Sequence, residues 1–313
     1  MLKALFHIFI FPGLLFLFVF GLCAEYIDRK IYARLQNRVG PPWFQPLADF
    51  LKLIGKEEII PEEADVRTFK LAPLFALAAS SAAILYIPIW GERAVFSFNG
   101  DIIVVLYLLT IPTLAYFLGG WYSRSVFSMI GAVRSLTQLF AYEVPLFLSI
   151  LASAMLADTW SISGIVSFYS RHLGYCFFNI LGFGVALISL LGKLEKVPFD
   201  IPEAETEIVA GAFTEYSGRF LAFLRLSLDV ELVVCASLLA AIFLPFGLSL
   251  PPQALFVFYI VQVIFIIALI SFLRAVFARL RLDQMINFCW KYLAPLAFAQ
   301  VILNLILKGV LPR

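Results

Sequence analysis

Charge is what this chain has least of. Of its 313 residues only 14% are charged and 62% are hydrophobic, whereas a soluble domain carries about 25% charged residues. A water-soluble globule with a single core is therefore excluded. Cysteine is sparse: Cys23, Cys176, Cys235 and Cys289 are scattered through or beside apolar runs, with no C-x-x-C pair. Four isolated thiols do not resemble an iron–sulfur ligand set and read as small hydrophobes in a packed bundle. The two histidines, His7 and His172, are too few for a pair of haems stacked across a membrane, which needs four axial ligands. Neither a G-x-G-x-x-G fingerprint nor a phosphate loop is present, so no nucleotide site is expected. A net charge of +2 gives no footprint for nucleic acid. If this protein takes part in redox chemistry, the electrons are expected to be carried by something else.

Long apolar runs are what the chain does have. They are predicted at 4–24, 69–89, 101–121, 135–156, 176–192, 229–247, 254–273 and 291–308, most of them near the roughly 20 residues that cross a hydrocarbon core about 30 Å thick. This implies an all-α, polytopic integral membrane protein of about eight transmembrane helices, forming a single membrane domain over 1–313. The first run lacks a small-x-small cleavage site, and Leu22 before Cys23 fits a lipoprotein site poorly, so a retained first helix is expected. The loops after the first, third, fifth and seventh runs, with Lys70 and Lys291 at the run ends adjoining them, hold 18 of the 23 basic residues, leaving Lys3, Arg93, Arg171, Lys308 and Arg313 elsewhere. The positive-inside rule then puts those loops in the cytoplasm and both termini outside the cell membrane.

Acid is concentrated in the third of these loops, 193–228. Lys193 to Arg219, KLEKVPFDIPEAETEIVAGAFTEYSGR, holds six of the 21 carboxylates in 27 residues. Asp200 is expected to cap a helix with Glu203 three residues on, so that Glu203 and Glu207 share a face and Glu205 points elsewhere. Like charges at that spacing repel mildly and raise the proton affinity of one member. Carboxylates favour a helix N-terminus, which accounts for two of them. Glu195, Glu215, Asp229 and Glu231 follow in line toward the sixth run, with Asp229 and Glu231 expected at the membrane entrance. In the fourth run Glu143 is expected about two helical turns from the cytoplasmic end, about 12 Å. A lone carboxylate there costs several kcal/mol unless paired, hydrated or protonated. Pro145 deprives the Ala141 carbonyl of its donor. A structural hydrogen bond between helices would also use such an acid, but an intramembrane acid beside a helix break points to function.

The first loop, 25–68, carries Arg29, Lys30, Arg34 and Arg38, as interface anchors or as docking residues. Beyond Pro41-Pro42, Pro46 opens a segment in which Leu47, Phe50, Leu51 and Ile54 keep helical spacing with Asp49, Lys52 and Lys56 opposite. This short amphipathic helix is predicted to lie on the membrane surface or against a partner, or to form a lid on the bundle. After the seventh run, Arg274, Arg279 and Arg281 cluster beside Asp283 as anchors or docking residues.

Three stretches, DRKIYARLQNRVGPPWFQPLADFLKLIGKEEIIP, KLEKVPFDIPEAETEIVAGAFTEYSG and ARLRLDQMINFCWKYLAPLA, resemble in family order the signature segments of the H subunit (mitochondrial subunit 1) of respiratory complex I and its relatives. The likeness covers nearly the whole chain. The compact Gly40-Pro41-Pro42-Trp43-Phe44-Gln45-Pro46 looks more like the membrane-anchor subunit of energy-converting (group 4) nickel–iron hydrogenases and related ferredoxin-driven complexes. The resemblance implies a non-catalytic subunit of an ion-translocating oxidoreductase, binding no cofactor or metal itself. The nickel–iron centre and iron–sulfur clusters would belong to hydrogenase-like large and small subunits and an iron–sulfur subunit on the cytoplasmic side, supplied by ferredoxin. Antiporter-like membrane subunits would move protons or sodium ions. Residues matching the signatures are Arg29, Arg34, Arg38 and Gly40 for docking, and Glu203, Glu205, Glu207 and Glu215 with the buried acid Glu143 for a proton or charge relay. The line of acids adds Asp229 and Glu231 to the relay. Asp200, Arg274, Arg279 and Arg281 join the docking set. Two alternatives stay open: the H subunit of an NADH–quinone oxidoreductase with a quinone cavity on the same surface, and a stand-alone ion transporter. Against the latter, nothing in the second half repeats LFAYEVP or the acidic segment, where transporters often show two-fold repeats.

Overall fold

The computed structural model describes residues 2–246 and 251–310, and every regular element among them is helical. Eight helical stretches among the described residues are long and apolar enough to cross a membrane, which bears out the expected all-α membrane architecture. The first combines α1 (Leu2–Phe9) and α2 (Leu14–Leu35). The surface helix α3 (Gln45–Ile54) follows, with Pro46 in its first turn, where a missing N–H costs nothing. Next come α4 (Val66–Ala83), α5 (Asp101–Tyr122) and α6 (Val126–Ala157). A short helix not anticipated from hydropathy, α7 (Ile162–Arg171), precedes α8 (Ile180–Lys193). One turn, α9 (Glu205–Ile208), is all the α-helix that the acidic loop forms. The chain ends with α10 (Gly218–Phe243), α11 (Pro252–Val276), α12 (Leu282–Phe288) and α13 (Ala294–Val310).

The spans differ in how much of their surface the protein itself covers. Of the most apolar stretch of α10, 83% is buried, against 22% for the first and last spans. A helix apolar all round and covered on every side is a core element, and α10 packs against α2, α4 and α11. Small residues permit the close approach: Gly21 of α2 sits where a Cβ would touch the backbone of Asp229 at 3.5 Å. Peripheral helices leave Leu5, Phe9, Val19, Phe265 and Ile306 exposed, as side chains facing lipid or neighbouring subunits would be.

Three corrections to the sequence-based expectations bear on the charged groups. First, α6 begins at Val126 and runs unbroken past Pro145, so Glu143 is 17 residues in, about 25 Å along the axis, rather than two turns. Second, α10 begins at Gly218, which puts Asp229 and Glu231 deep in a helix and not at its entrance. Third, Asp200 caps no helix. The helical turn starts at Glu205 with Ala204 as its cap, so Glu203 lies outside it and shares no helical face with Glu207. The expected α3 does form. Its Phe50 packs on Phe18 at 5.1 Å between ring centres, while Leu47, Leu51 and Ile54 face outward.

Instead of a helix, the acidic segment is a folded loop pinned to the bundle. Gly211 takes a left-handed backbone, φ +54°, and any Cβ there would strike the Pro202 carbonyl oxygen at 1.8 Å; only glycine fits. The next residue wedges against α6, where a Cβ on Gly131 would lie 2.4 Å from Ala212 N. Ser128 Oγ is 3.0 Å from the carbonyl oxygens of Gly120 and Ala212. The Tyr-Ser-Gly-Arg run then clasps the first loop. Tyr216 stacks on Phe69 at 4.0 Å and donates to its carbonyl at 3.1 Å. Ser217 Oγ accepts from Ile59 N at 2.9 Å, and Arg219 Nη2 donates to Glu58 Oε2 at 2.9 Å.

Gly131→Ala should therefore lower the melting temperature of the purified protein by several degrees, since overpacking costs about 1–3 kcal/mol. Gly184→Ala, where nothing lies within 4 Å of the added Cβ, should be neutral or slightly stabilising. Differential scanning fluorimetry in detergent makes the comparison.

Candidate functional site

The last residue of α8 carries a cation into the protein interior. Lys193 is 3% exposed and Glu231 0%, and their Nζ and Oε1 atoms are 2.6 Å apart. Lys193 Nζ also donates to the Leu109 carbonyl and lies 6.0 Å from the Tyr142 ring centre. Glu231 Oε2 has no donor among the described residues. Charge in such surroundings survives only when it is paired. A small cavity of about 20 Å³ adjoins the pair, lined by Tyr142, Glu143, Lys193, Cys235 and apolar neighbours. That is room for about one water, and it puts half-buried Glu143 beside the pair.

A second buried charge, Asp28 (2% exposed), ties three parts of the chain together. Its Oδ2 meets Lys196 Nζ at 2.6 Å and Arg274 Nη1 at 3.2 Å, and its Oδ1 accepts from Ser271 Oγ at 2.6 Å. The Arg274 guanidinium lies 4.2 Å from the Tyr32 ring centre. Nearby, a cleft of about 270 Å³ between α2, α3 and α10 is lined by Glu25, Arg29, Asp49, Lys52, Lys56, Arg225 and Asp229, with Leu22, Phe50, Leu53 and Leu221 supplying apolar wall. Arg29 pairs there with Glu25 and, at 3.0 Å, with Asp49.

The loop acids are held by arginines from α6, α10 and the connector between α11 and α12. Glu203 pairs with Arg225 at 2.9 Å, and Glu207 with Arg134 at 2.6 Å. Asp200 Oδ1 is 3.1 Å from Arg279 Nε. The hydrogen bond and charge of Arg134 hold the Glu207 carboxyl below the usual carboxylate range. Glu195 is the opposite case. Burial first, then the like charge of Glu203 and of Glu231, push its carboxyl up to about 8, against the Ser135 hydroxyl and the Arg225 charge.

Of the sequence-identified relay residues, Glu143 shares the small cavity with Lys193, the ion-pair partner of Glu231, and Asp229 lines the cleft. Glu203 and Glu207 are tied to α10 and α6. Glu205 opens α9. Glu215 sits half-exposed in the loop, without an ion pair among the described residues. In the docking set, Arg34, Arg38 and Arg281 are exposed and have no carboxylate partner among the described residues. Gly40 has φ +74°, and Arg29 lines the cleft. Arg274 departs from the expected surface cluster, because buried Asp28 draws it inward. Sequence reading gave no role to Lys193 or Asp28, which pair with Glu231 and with Lys196 and Arg274. Lys193 counts there as one of the basic loop residues, yet its place at the end of a 17-residue apolar run is a usable signal. Among the described residues no three His, Cys, Asp or Glu side chains converge as a metal site would require.

The NADH dehydrogenase family model matches residues 8–305. The chain is 33% identical over 302 residues to the H subunit of NADH-quinone oxidoreductase from Carboxydothermus hydrogenoformans, covering 93% of this chain and 85% of the relative. It is 34% identical to the protein of the same name from Bacillus thuringiensis, covering 96% and 95%. Among solved structures it superimposes on a chain of the membrane-bound sulfane sulfur reductase, an archaeal respiratory membrane complex, with TM-score 0.84, 30% identity and coverage of 97% and 98%.

Breaking the buried pair from one side should cost about 3–5 kcal/mol, and replacing both partners should cost little. Lys193→Met and Glu231→Leu alone should each lower the melting temperature by roughly 5–10 °C. The double variant Lys193→Met/Glu231→Leu should recover most of that loss. A double-mutant cycle by thermal unfolding tests it, and additive losses would contradict the pairing.

Proposed function

The chain belongs to the NADH dehydrogenase family, as a membrane subunit of a complex I-like respiratory assembly, and from that premise we propose that it is the membrane-anchor and energy-coupling component of a ferredoxin-driven, ion-translocating complex of the membrane-bound hydrogenase type. The observation that carries this reading is the succession of charged side chains leading from the acidic loop into the bundle: Glu203 with Arg225, then buried Glu195, then Lys193 with Glu231, then Glu143 on the same cavity. The loops after the first, third, fifth and seventh spans face the cytoplasm on this reading, and both termini lie outside. Exposed Arg34, Arg38, Val39 and Trp43 offer a docking edge to hydrogenase-like large and small subunits and an iron–sulfur subunit, which hold the redox centres. The lipid-facing first and last spans are free to meet antiporter-like subunits.

The mechanism follows from electrostatics in a low dielectric. Electron transfer in the docked module shifts charge or loop position near Glu203, Glu207 and Glu215. Each change in the loop alters the proton affinity of the next carboxyl inward, because coupled acids titrate as a set. Protons then redistribute among Asp229, Glu231 and Glu143, and the altered field passes sideways to the pumping subunits. The compact Gly40–Pro46 turn and the near-complete overlap with a sulfur-reductase chain favour a complex that dispenses with quinone. A second reading, the quinone-binding membrane subunit of an NADH–quinone oxidoreductase, is favoured by the partly apolar cleft beneath α3 and by the name of the curated relatives.

Glu143→Gln in the assembled complex should leave subunit composition and ferredoxin oxidation intact while cutting ion pumping at least tenfold, measured in inverted membrane vesicles. Pumping at the wild-type rate sinks the relay. A quinone-site inhibitor that abolishes turnover would select the second reading over the first.

A further inference from the structure

A cavity of about 340 Å³ opens where α6, the acidic loop and the α11–α12 connector meet. About 10–15 Å³ would hold one water, so it has room for a larger group. Its charged lining is Arg134, Arg279, Arg281 and Glu207, with apolar wall from Ile201 and Leu280. Arg134 meets Glu207 at 2.6 Å, while Arg279 reaches Asp200 at 3.1 Å and Glu207 at 4.0 Å. Hydrogen bonding from Arg134, and then the charges of Arg134, Arg279 and Arg281, hold the Glu207 carboxyl below its usual range, so all three guanidinium groups bear on one carboxylate. Asp283 is exposed and does not line the cavity. Three cations thus face two acids, Glu207 and Asp200, and Arg281 is the one left without a carboxylate.

Two measures put this surplus charge at the level of lipid headgroups. Arg279 and Arg281 stand three and five residues past Val276, the last residue of α11. Helix α6 has 32 residues, whereas the hydrocarbon core takes about 20. About 20 residues counted back from Ala157, beyond which the Asp158–Lys308 ion pair marks water, reach Gln138 and leave Arg134 one turn outside the hydrocarbon. On the hydrocarbon side the surface is open and apolar. Phe140 of α6 is 61% exposed and Tyr292 of the last span 62%, on stretches that pack together. Trp290 and Tyr292 are aromatic residues of the kind that sit at membrane interfaces. An acidic side chain from a docked subunit would match the charge but not this apolar margin. A phospholipid matches both.

We propose that the cavity binds the phosphate of an anionic phospholipid, with Arg281 as its chief ligand, Arg134 and Arg279 as flanking donors, and the acyl chains lying along α6 and the last span. A guanidinium presents paired N–H donors that match phosphate oxygens, and basic pockets between transmembrane helices take such headgroups. The bound lipid braces the acidic loop, because the arginines that flank it also hold Asp200 and Glu207. The site rests on the fold and its charges and is independent of the coupling role. Its leaflet is the cytoplasmic one in the orientation proposed above.

The test is photolabelling of the assembled complex in detergent with phosphatidylglycerol carrying a photoreactive acyl chain, read by mass spectrometry of the labelled peptides. Label should appear on peptides of α6 or of the last span, and unlabelled phosphatidylglycerol should compete for it where phosphatidylcholine does not. Arg281→Gln, which breaks no ion pair, should weaken that labelling about fivefold, the size of one arginine's attraction to an anionic membrane. Arg281→Lys should keep most of it, and Arg93→Gln, in the connector between α4 and α5, should change nothing. Labelling that ignores Arg281→Gln, or that phosphatidylcholine competes away equally well, overturns the proposal. So does competition by inorganic phosphate at the lipid's concentration, which would make the cavity a site for free anions. Loss of a cytoplasmic subunit from the Arg281→Gln complex with labelling intact would give the arginine to an acidic side chain of that subunit, and would equally overturn it.

Discussion

The structure turns on keeping charge inside an apolar bundle, and the Lys193–Glu231 contact is where that constraint is met. Neither ion could stay charged alone. Taking an ion out of water costs several kcal/mol even after the protein relaxes. The chain satisfies Lys193 from three directions: the Glu231 carboxylate, the Leu109 carbonyl and the Tyr142 ring. Among the described residues, Glu231 receives one cation, Lys193, and no donor on its second oxygen. Its charge thus depends on a single partner.

Other features follow from holding that contact in place. The pair bridges the end of α8 and the middle of α10, so α10 must be buried on all sides, and Gly21 of α2 allows the close approach of that helix to Asp229. The acidic loop must leave α8 abruptly, which the left-handed Glu195 achieves, and must be held while its charges change. Arg134, Arg225 and Arg279 hold it from three sides, Lys196 ties it to Asp28, and the Tyr216–Arg219 clasp fixes it to the first loop. The acids are therefore mounted on a loop braced from several sides.

Much of the fold is legible in the sequence because length and hydropathy set membrane spans directly. The eight spans and the surface helix at Gln45–Ile54 can be read there to within several residues at most ends. What escapes is the extension of helices beyond their apolar cores. Charged residues inside the helices, Arg134 in α6 and Arg219 and Arg225 in α10, cut the hydropathy signal short, so Glu143, Asp229 and Glu231 look nearer the surface than they are. The Asp200–Glu203 pattern has the composition of a helix start, but a loop folded around Gly211 and Pro202 overrides it. Of the site, the acids are visible as an anomaly of composition. Their basic partners are not, because Lys193 and Lys196 look like ordinary flanking lysines and Asp28 looks like one more charge at a helix end. Only tertiary structure shows that they compensate acids from distant segments.

The central claim is that electron transfer elsewhere in the assembly changes the protonation of buried carboxyls in this chain. The most direct measurement is the redox-difference infrared spectrum of the intact complex, reduced minus oxidised, with isotope-labelled glutamate. The account predicts a carboxyl difference signal that Glu231→Gln and Glu143→Gln each diminish. A flat carboxyl region in a complex that still pumps ions would contradict it.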